Sequence, residues 1–293
     1  MPRGKTAKTL KLLEACQDIL RAIHPATVRA VCYQLFIRGF LPSMAKTCTN
    51  RVSKQLVFAR ENGLIPWEWI VDETREAERP GTWADPETYI PAVLDSYRRD
   101  RWIQQPVRVE VWSEKGTVRG TLAPILRHYG VTFRVMHGHA SATTLYDVAS
   151  ESQQDPLPLV ALYCGDWDPS GLHMSEVDLP ARLTRYGGAV EVDRVALVGA
   201  DVDPQHSTLP SFPATDKTKD ARYRWFVTEY GHTCWELDAL SPVVLRERLE
   251  EAIGAYIDWD VWQRFDVVER AERTSLSTFL AQWSAVKAGQ ATL

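Results

Sequence analysis

The sequence predicts an α/β protein: a basic, helical N-terminal head, a parallel sheet with helices on both faces, and a helical C-terminal extension. Three observations predict it. Strand-like and helix-like segments alternate between residues 107 and 198, the pattern of βαβ units. Residues 1–60 hold eleven Lys or Arg against only Glu14 and Asp18, a net +9, so the rest of this −4 chain carries −13. The length, 293 residues, gives about two domains at roughly 150 residues each. With 45% hydrophobic and 25% charged residues, the composition excludes a disordered or fibrous chain.

The head reads as three helices. Leu10, Leu13, Cys16, Leu20 and Ile23 recur at helical spacing over residues 7–23, and His24-Pro25 ends the element. Thr27 is placed to cap a second helix with the apolar stripe Val28, Val31, Cys32 and Leu35; Gly39 and Pro42 break it. A third helix is expected from Thr49 to Glu61, burying Val52, Leu56 and Ala59 and showing Arg51, Lys54, Gln55 and Arg60 to solvent. Leu64 to Val71 reads as extended. Three helices and a ribbon describe a winged helix-turn-helix whose third helix reads a DNA groove. Arg51, Lys54 and Arg60 are then its candidate DNA contacts.

Residues 80–106 read as a connector, with Arg79-Pro80-Gly81 as a hinge and a short helix near Pro86 to Trp102. The body follows from residue 107. Strands are expected at Val107–Ser113, Val131–Met136, Leu157–Cys164 and Val190–Val198. Helices are expected at Thr117–Tyr129, Ser141–Ser150 and Gly171–Tyr186. The tail from residue 199 begins with Pro-rich loops and ends in helices at Val243–Ile257 and Val261–Trp283. The expected division is therefore 1–79, 80–106 and 107–293.

Five cysteines at 16, 32, 48, 164 and 234 form no Cys-x-x-Cys pair. That argues against a disulfide framework or a structural zinc site and fits a reducing cytoplasm. No apolar run approaches the ~18 residues of a membrane helix, and no apolar signal segment follows the basic N-terminus. A soluble, cytoplasmic protein with no membrane partner is expected.

Two acidic clusters fall at strand ends, where parallel sheets place their sites. One strand stops at Ser113-Glu114-Lys115-Gly116, and the most apolar strand stops at Gly165-Asp166-Trp167-Asp168-Pro169-Ser170-Gly171. In an extended segment Asp166 and Asp168 share a face. With Glu114 they make three carboxylates around one point, a donor set for a hard cation such as Mg²⁺ or Mn²⁺. In the head, Arg29 and Tyr33 stand at i and i+4 and can address one phosphate.

These residues resemble the TOPRIM domain in the version found in topoisomerase VI A subunits and the related meiotic double-strand-break proteins. That version pairs a Glu-Lys strand end with Asp-x-Asp-Pro-x-Gly. Arg29-Ala30-Val31-Cys32-Tyr33 is similar to the Arg-x-x-Tyr-Tyr segment of the family's winged-helix domain, whose second tyrosine is the DNA nucleophile; Cys32 replaces the first. Trp235-Glu236-Leu237-Asp238-Ala239-Leu240 resembles its C-terminal Glu-Leu-x-Ala-Leu segment. The likeness spans about residues 20–260 and is nearest to short stand-alone relatives carried by bacteria and phages.

The resemblance implies Mg²⁺-dependent binding of double-stranded DNA and strand cleavage by Tyr33 transesterification. Glu114, Asp166 and Asp168 would hold the metal, and Lys115 would join the DNA contacts. It also implies a homodimer in which the tyrosine of one subunit meets the metal of the other. There is no Gly-x-x-x-x-Gly-Lys-Ser/Thr loop, so coupling to ATP would need a separate ATPase subunit. Two rival readings remain: a metal-dependent nuclease with water as nucleophile, and a non-cleaving DNA-binding subunit of a phage or plasmid defence or maintenance system. Other features read as structural. Asp201-Val202-Asp203-Pro204 is expected to be loop, His137-Gly138-His139 a loop lining the site, and Trp67, Trp69 and Trp112 core. Lys217, Lys219, Asp220 and Arg222 are expected to be a solvated face.

Overall fold

The computed structural model describes residues 6–71, 81–136, 141–203 and 207–290. The expected His137-Gly138-His139 loop and Arg79-Pro80 of the hinge lie outside the described residues. Helices α1 (Ala7–Ile23), α2 (Val28–Ile37) and α3 (Lys46–Glu61) form the head, and α4 (Pro86–Ser96) follows in the connector. Thr27 caps α2 as its position predicts, its hydroxyl accepting from Ala30 N–H at 3.1 Å. Helix α3 begins three residues before the expected Thr49. The Ala45 carbonyl accepts from the Cys48 and Thr49 amides, so Thr49 lies within the first turn rather than capping it. Cys16, Ile19, Leu20, Val31, Cys32, Leu35, Val52, Leu56 and Ala59 build one buried core between the three helices.

The expected ribbon at 64–71 takes a different form. After Pro66 the chain makes a single 3₁₀ turn, Trp67–Trp69, and then one bridging pair, Ala26 with Ile70. The turn seats the Trp69 ring on His24, with centroids 4.6 Å apart, and sends Ile70 into the head core. It leaves Trp67 58% exposed. Of the three tryptophans expected in the core, Trp112 is fully buried and Trp69 half-buried, while Trp67 lies outside.

The body alternates as predicted: β1 (Arg108–Ser113), α5 (Val118–Tyr129), β2 (Thr132–Val135), α6 (Ala142–Gln154), β3 (Leu159–Cys164), α7 (Pro169–His173), α8 (Leu179–Arg185) and β4 (Val190–Ala196). The four strands form a parallel sheet in the order β2-β1-β3-β4. Every residue of β3 is buried, which explains its unbroken apolar run. In this order the chain leaves β1 toward one edge and β3 toward the other, making the gap between their carboxyl ends a topological switch point. The expected helix 171–186 is interrupted. Asp168 caps its start at Pro169, and a π turn, Met174–Asp178, separates α7 from α8. Pro180 has no N–H to donate to Glu176, and the wider turn lies where that bond is missing.

The stretch expected as Pro-rich loop contains more structure. Strands β5 (Ser211–Pro213) and β6 (Thr233–Trp235) pair antiparallel around α9 (Tyr223–Tyr230). Helix α10 (Pro242–Ala255) follows, and its Arg246 guanidinium donates to the carbonyls of Ile23 and Pro25 in the head and Thr121 in α5. Compactness groups residues 1–76 with 109–255, so head and sheet share one unit; residues 77–108 and 256–293 form a second. In that second unit, α4 and the long helix α11 (Trp259–Gln290) flank an ionic cluster. Arg101 reaches Asp266 at 3.0 Å and Glu269 at 3.1 Å, and the Tyr97 hydroxyl donates to Glu272 at 2.6 Å. Among the described residues, no helix is long and apolar enough to cross a membrane.

Candidate functional site

The loops that leave β1 and β3 carry the chemistry. The β3 loop is held from two sides. Gly165 N–H donates to Ala196 O at 2.7 Å, and Leu197 N–H returns to Gly165 O at 3.0 Å. Trp167 and Trp235 exchange backbone hydrogen bonds of 2.9 and 3.0 Å, which keeps the Asp-x-Asp segment extended. Asp166 and Asp168 therefore leave on one side and Trp167 on the other. Position 171 must be glycine, because a Cβ there would run into the Asp166 carbonyl.

Lys115, from the β1 loop, reaches across the switch point. Its Nζ lies 2.8 Å from Asp166 Oδ1, 2.9 Å from Asp238 Oδ2 and 3.8 Å from Glu236 Oε2. Asp166 also accepts from Leu237 N–H at 2.8 Å. From the head, Arg29 donates through Nε to Glu236 Oε2 at 2.9 Å and through Nη2 to the same oxygen; its Nε lies 3.4 Å from Asp238. The Arg29 guanidinium stands over the Tyr33 ring, 5.6 Å from its centroid. Asp168 accepts from Gly171 N–H and is met by Lys217 Nζ at 2.9 Å. Head and body motifs separated by more than eighty residues thus join through Glu236 and Asp238.

Glu114 stands half-buried beside this network. Burial first, then Asp166 and Asp168, push its carboxyl above the usual range. Burial also raises Asp166, against Lys115 and the Leu237 amide. Burial pulls the Lys115 ammonium down, but Asp166 and Asp238 outweigh it and hold it above the usual lysine range. The three carboxylates repel one another, and their oxygens are the donors a hard divalent cation takes. The chemistry of the set fits such an ion. In the present arrangement the two lysines neutralise the aspartates, and among the described residues no three His, Cys, Asp or Glu side chains stand together as a metal-holding group.

Tyr33 is only 5% exposed. Burial and then the Glu236 charge push its phenol well above the usual range, with Arg29 opposing. The other expected residues divide. Arg51 and Lys54 lie exposed on α3 and take no part in the network. Arg60 is half-buried under Trp67, 4.7 Å from the ring centroid, so the expected solvent-facing role does not describe it. Lys217, expected on a solvated face, belongs to the site, whereas Lys219 is exposed and Arg222 pairs with Asp220 at 3.1 Å. Asp201 ends a 3₁₀ turn and holds Arg248 at 2.6 and 2.7 Å, a structural role.

Arg194 was not legible as a site residue. From β4 its guanidinium donates to the carbonyls of Gly165, Asp166, Gly171 and Leu197 and to the Ser175 hydroxyl. Four of its five donors go to the loop and the helix that follows it and the fifth to Leu197 just past β4, none to a carboxylate. Glu236 and Asp238 lie in the segment that carried the resemblance, but only the β5–β6 hairpin shows why they reach the site.

Fold and site together define an α/β protein with a buried-to-surface charge network at the switch point of its parallel sheet. The chain matches no protein-family model, and no curated protein or solved structure matches it.

Proposed function

We propose that this chain is a DNA-strand-cleaving enzyme of the kind its resemblance to TOPRIM proteins implies, with the head as a winged-helix-like DNA-binding domain. One observation carries the reading: Arg29, beside Tyr33, and Lys115, beside Asp166, meet through Glu236 and Asp238 at the β1–β3 switch point. A cationic head and a carboxylate cluster at one place suit a phosphodiester, whose charge needs cations and whose cleavage needs a hard ion or a base. Glu114, Asp166 and Asp168 would hold Mg²⁺ or Mn²⁺, which when bound supplies charge neutralisation at the phosphate and leaving oxygen.

The chain's own residues do the rest. Arg29 and Lys115 would hold phosphate oxygens once DNA displaces their carboxylate partners, and Lys217 would stand free of Asp168 for the leaving side. In the covalent route Tyr33 Oη forms the new P–O bond, the deoxyribose oxygen leaves with the electron pair and takes a proton, and the phenol proton passes to solvent or a carboxylate. A homodimer would then provide one site per strand. Cytoplasmic location and double-stranded DNA as substrate belong to the same proposal.

A second reading is favoured by the burial of Tyr33 and its raised phenol: water attacks, and Tyr33 packs the head. Incubation with supercoiled plasmid and Mg²⁺ tests the proposal. Nicked or linear DNA is expected, and a protein that leaves the plasmid intact with either Mg²⁺ or Mn²⁺ contradicts it. A requirement for protease to release the ends selects the covalent route.

A further inference from the structure

Behind the Asp-x-Asp loop lies a cavity of about 420 Å³, lined by Trp167, Tyr230, Trp235, Val202 and Gly199 among others. Nothing in the cleavage chemistry uses it. Trp167 and Tyr230 meet at a right angle, ring centroids 5.5 Å apart and planes at 85°, so they form an aromatic corner. The corner is fixed in advance. Trp167 is tied to Trp235 through the backbone, Arg194 lies over its ring at 5.9 Å, and the Tyr230 hydroxyl is bonded to Glu176. Trp235 is 3% exposed, and its indole N–H has no hydrogen-bond partner among the described residues. A buried donor left unpaired is costly and uncommon.

We propose that this cavity takes one unstacked nucleobase of the strand whose phosphate meets the acidic side of the same loop. The inference rests on the DNA-cleaving reading and adds its substrate class. Trp167 stands between Asp166 and Asp168 in an extended segment, so its ring faces away from the carboxylates by one chain thickness. A strand crossing the edge of that segment places a phosphate on one side and a neighbouring base on the other. The aromatic corner stacks any base through a π face. The volume falls within the range of small-ligand sites. Drawing a base out of an intact duplex costs stacking and pairing energy. The preferred substrate is therefore DNA with an unpaired nucleotide at a fixed distance from the cut.

The test uses fluorescein-labelled oligonucleotides, single-stranded and duplex, with 2-aminopurine placed at successive positions. Anisotropy reports binding and 2-aminopurine emission reports stacking. The expected result is quenching at one position only, with single strands and duplexes unpaired there bound more tightly than a full duplex. Trp167→Ala removes the stacking ring and should lower single-strand affinity by about tenfold. Gly199→Leu plugs the mouth without entering the core, since a Cβ at Gly199 meets only the Trp167 ring, at 3.9 Å. It should abolish the position-specific quench while binding persists. Binding with no quench at any position, or a quench that survives Gly199→Leu, overturns the pocket and leaves the cleavage reading standing. Absence of any oligonucleotide binding overturns both.

Discussion

The Lys115 ammonium and the Asp166 carboxylate lie 2.8 Å apart, one just past the end of β1 and the other just past the end of β3. Both are mostly removed from solvent, so each is the other's main compensation. Removing one partner of such a pair leaves a buried charge. Lys115→Met should destabilise the protein by about 2 kcal/mol, below the ~3–5 kcal/mol of a fully enclosed pair because the site is partly open. Adding Asp166→Asn should return part of the loss. Urea denaturation of the two single variants and the double variant gives the coupling, and additive losses would show that the pair contributes nothing.

Glu114 should show the opposite sign. Its carboxyl is raised by burial and by Asp166 and Asp168, so the folded state holds its proton more tightly than the unfolded chain does. The cost is absent below the unfolded value of about 4.3 and grows as pH rises through the raised folded value. Glu114→Gln removes that cost. The metal-free variant should melt higher than the parent at pH 7.5, with the gain vanishing near pH 4. It should also bind Mn²⁺ more weakly in calorimetry. In the parent, Mn²⁺ affinity should rise with pH as the proton on Glu114 is displaced. A lower melting temperature for Glu114→Gln at pH 7.5 would contradict this account.

Local chemistry made much of this legible. Thr27 capped where a Ser/Thr before an apolar stripe should, and the unbroken apolar run 159–164 became the buried strand beside the site. Asp166 and Asp168 leave one face of the segment after β3, and Glu114 lies near enough to feel both charges, because strand alternation and sheet order are both written in short segments. The rest depended on long-range contacts with no periodic signal. Lys217 reaches Asp168 only because the β5–β6 hairpin folds back, and a Lys in a polar stretch looks the same whether solvated or paired. Arg194 looks like any strand arginine until the loop carbonyls close around it. Trp67 lies outside the expected core, because an apolar ring beside a proline does not reveal that a 3₁₀ turn points it outward against Arg60.

The basic head should bind DNA chiefly through counterion release. Arg51→Ala or Lys54→Ala should each weaken binding about equally across sequences and reduce the salt slope by about one unit. Arg60→Ala should instead leave the slope almost unchanged, because that guanidinium lies against Trp67. Anisotropy titrations between low and moderate salt check both. An Arg60→Ala effect equal to that of Lys54→Ala would place Arg60 on phosphate after all.

Arg194 acts through the loop rather than on substrate. Burial pulls its guanidinium below the usual arginine range, yet five hydrogen bonds keep it in place. Arg194→Met should free the carbonyls of Gly165, Asp166 and Gly171 and let the carboxylates drift. Mn²⁺ affinity and the rate of cleavage at saturating DNA should fall, while DNA affinity, set by the head, should stay near the parent's. Arg194→Lys reaches fewer carbonyls and should restore only part of the rate. An equal loss of DNA affinity and rate would point to general unfolding instead.

The Glu236 carboxylate decides how available Tyr33 is. It holds Arg29 and, after burial, is the main influence raising the Tyr33 phenol. A raised phenol ionises only at higher pH, so a tyrosine-driven rate should climb with pH well above neutrality. Glu236→Gln removes the opposing charge while keeping the carboxylate's shape. In the covalent route the rising limb of the pH–rate profile should move down, and protein-linked DNA should accumulate at a lower pH than in the parent. Tyr33→Phe keeps the ring and loses the attacking oxygen, so protein-linked DNA and cleavage should both disappear while DNA binding persists. In the hydrolytic route Tyr33→Phe should cut at the parent rate, with ends free of protein, and the pH profile should follow Glu114 instead. Measuring cleavage with and without protease for both variants separates the routes. Protein-free ends from Tyr33→Phe at the parent rate would remove Tyr33 from the chemistry and leave it as part of the head core.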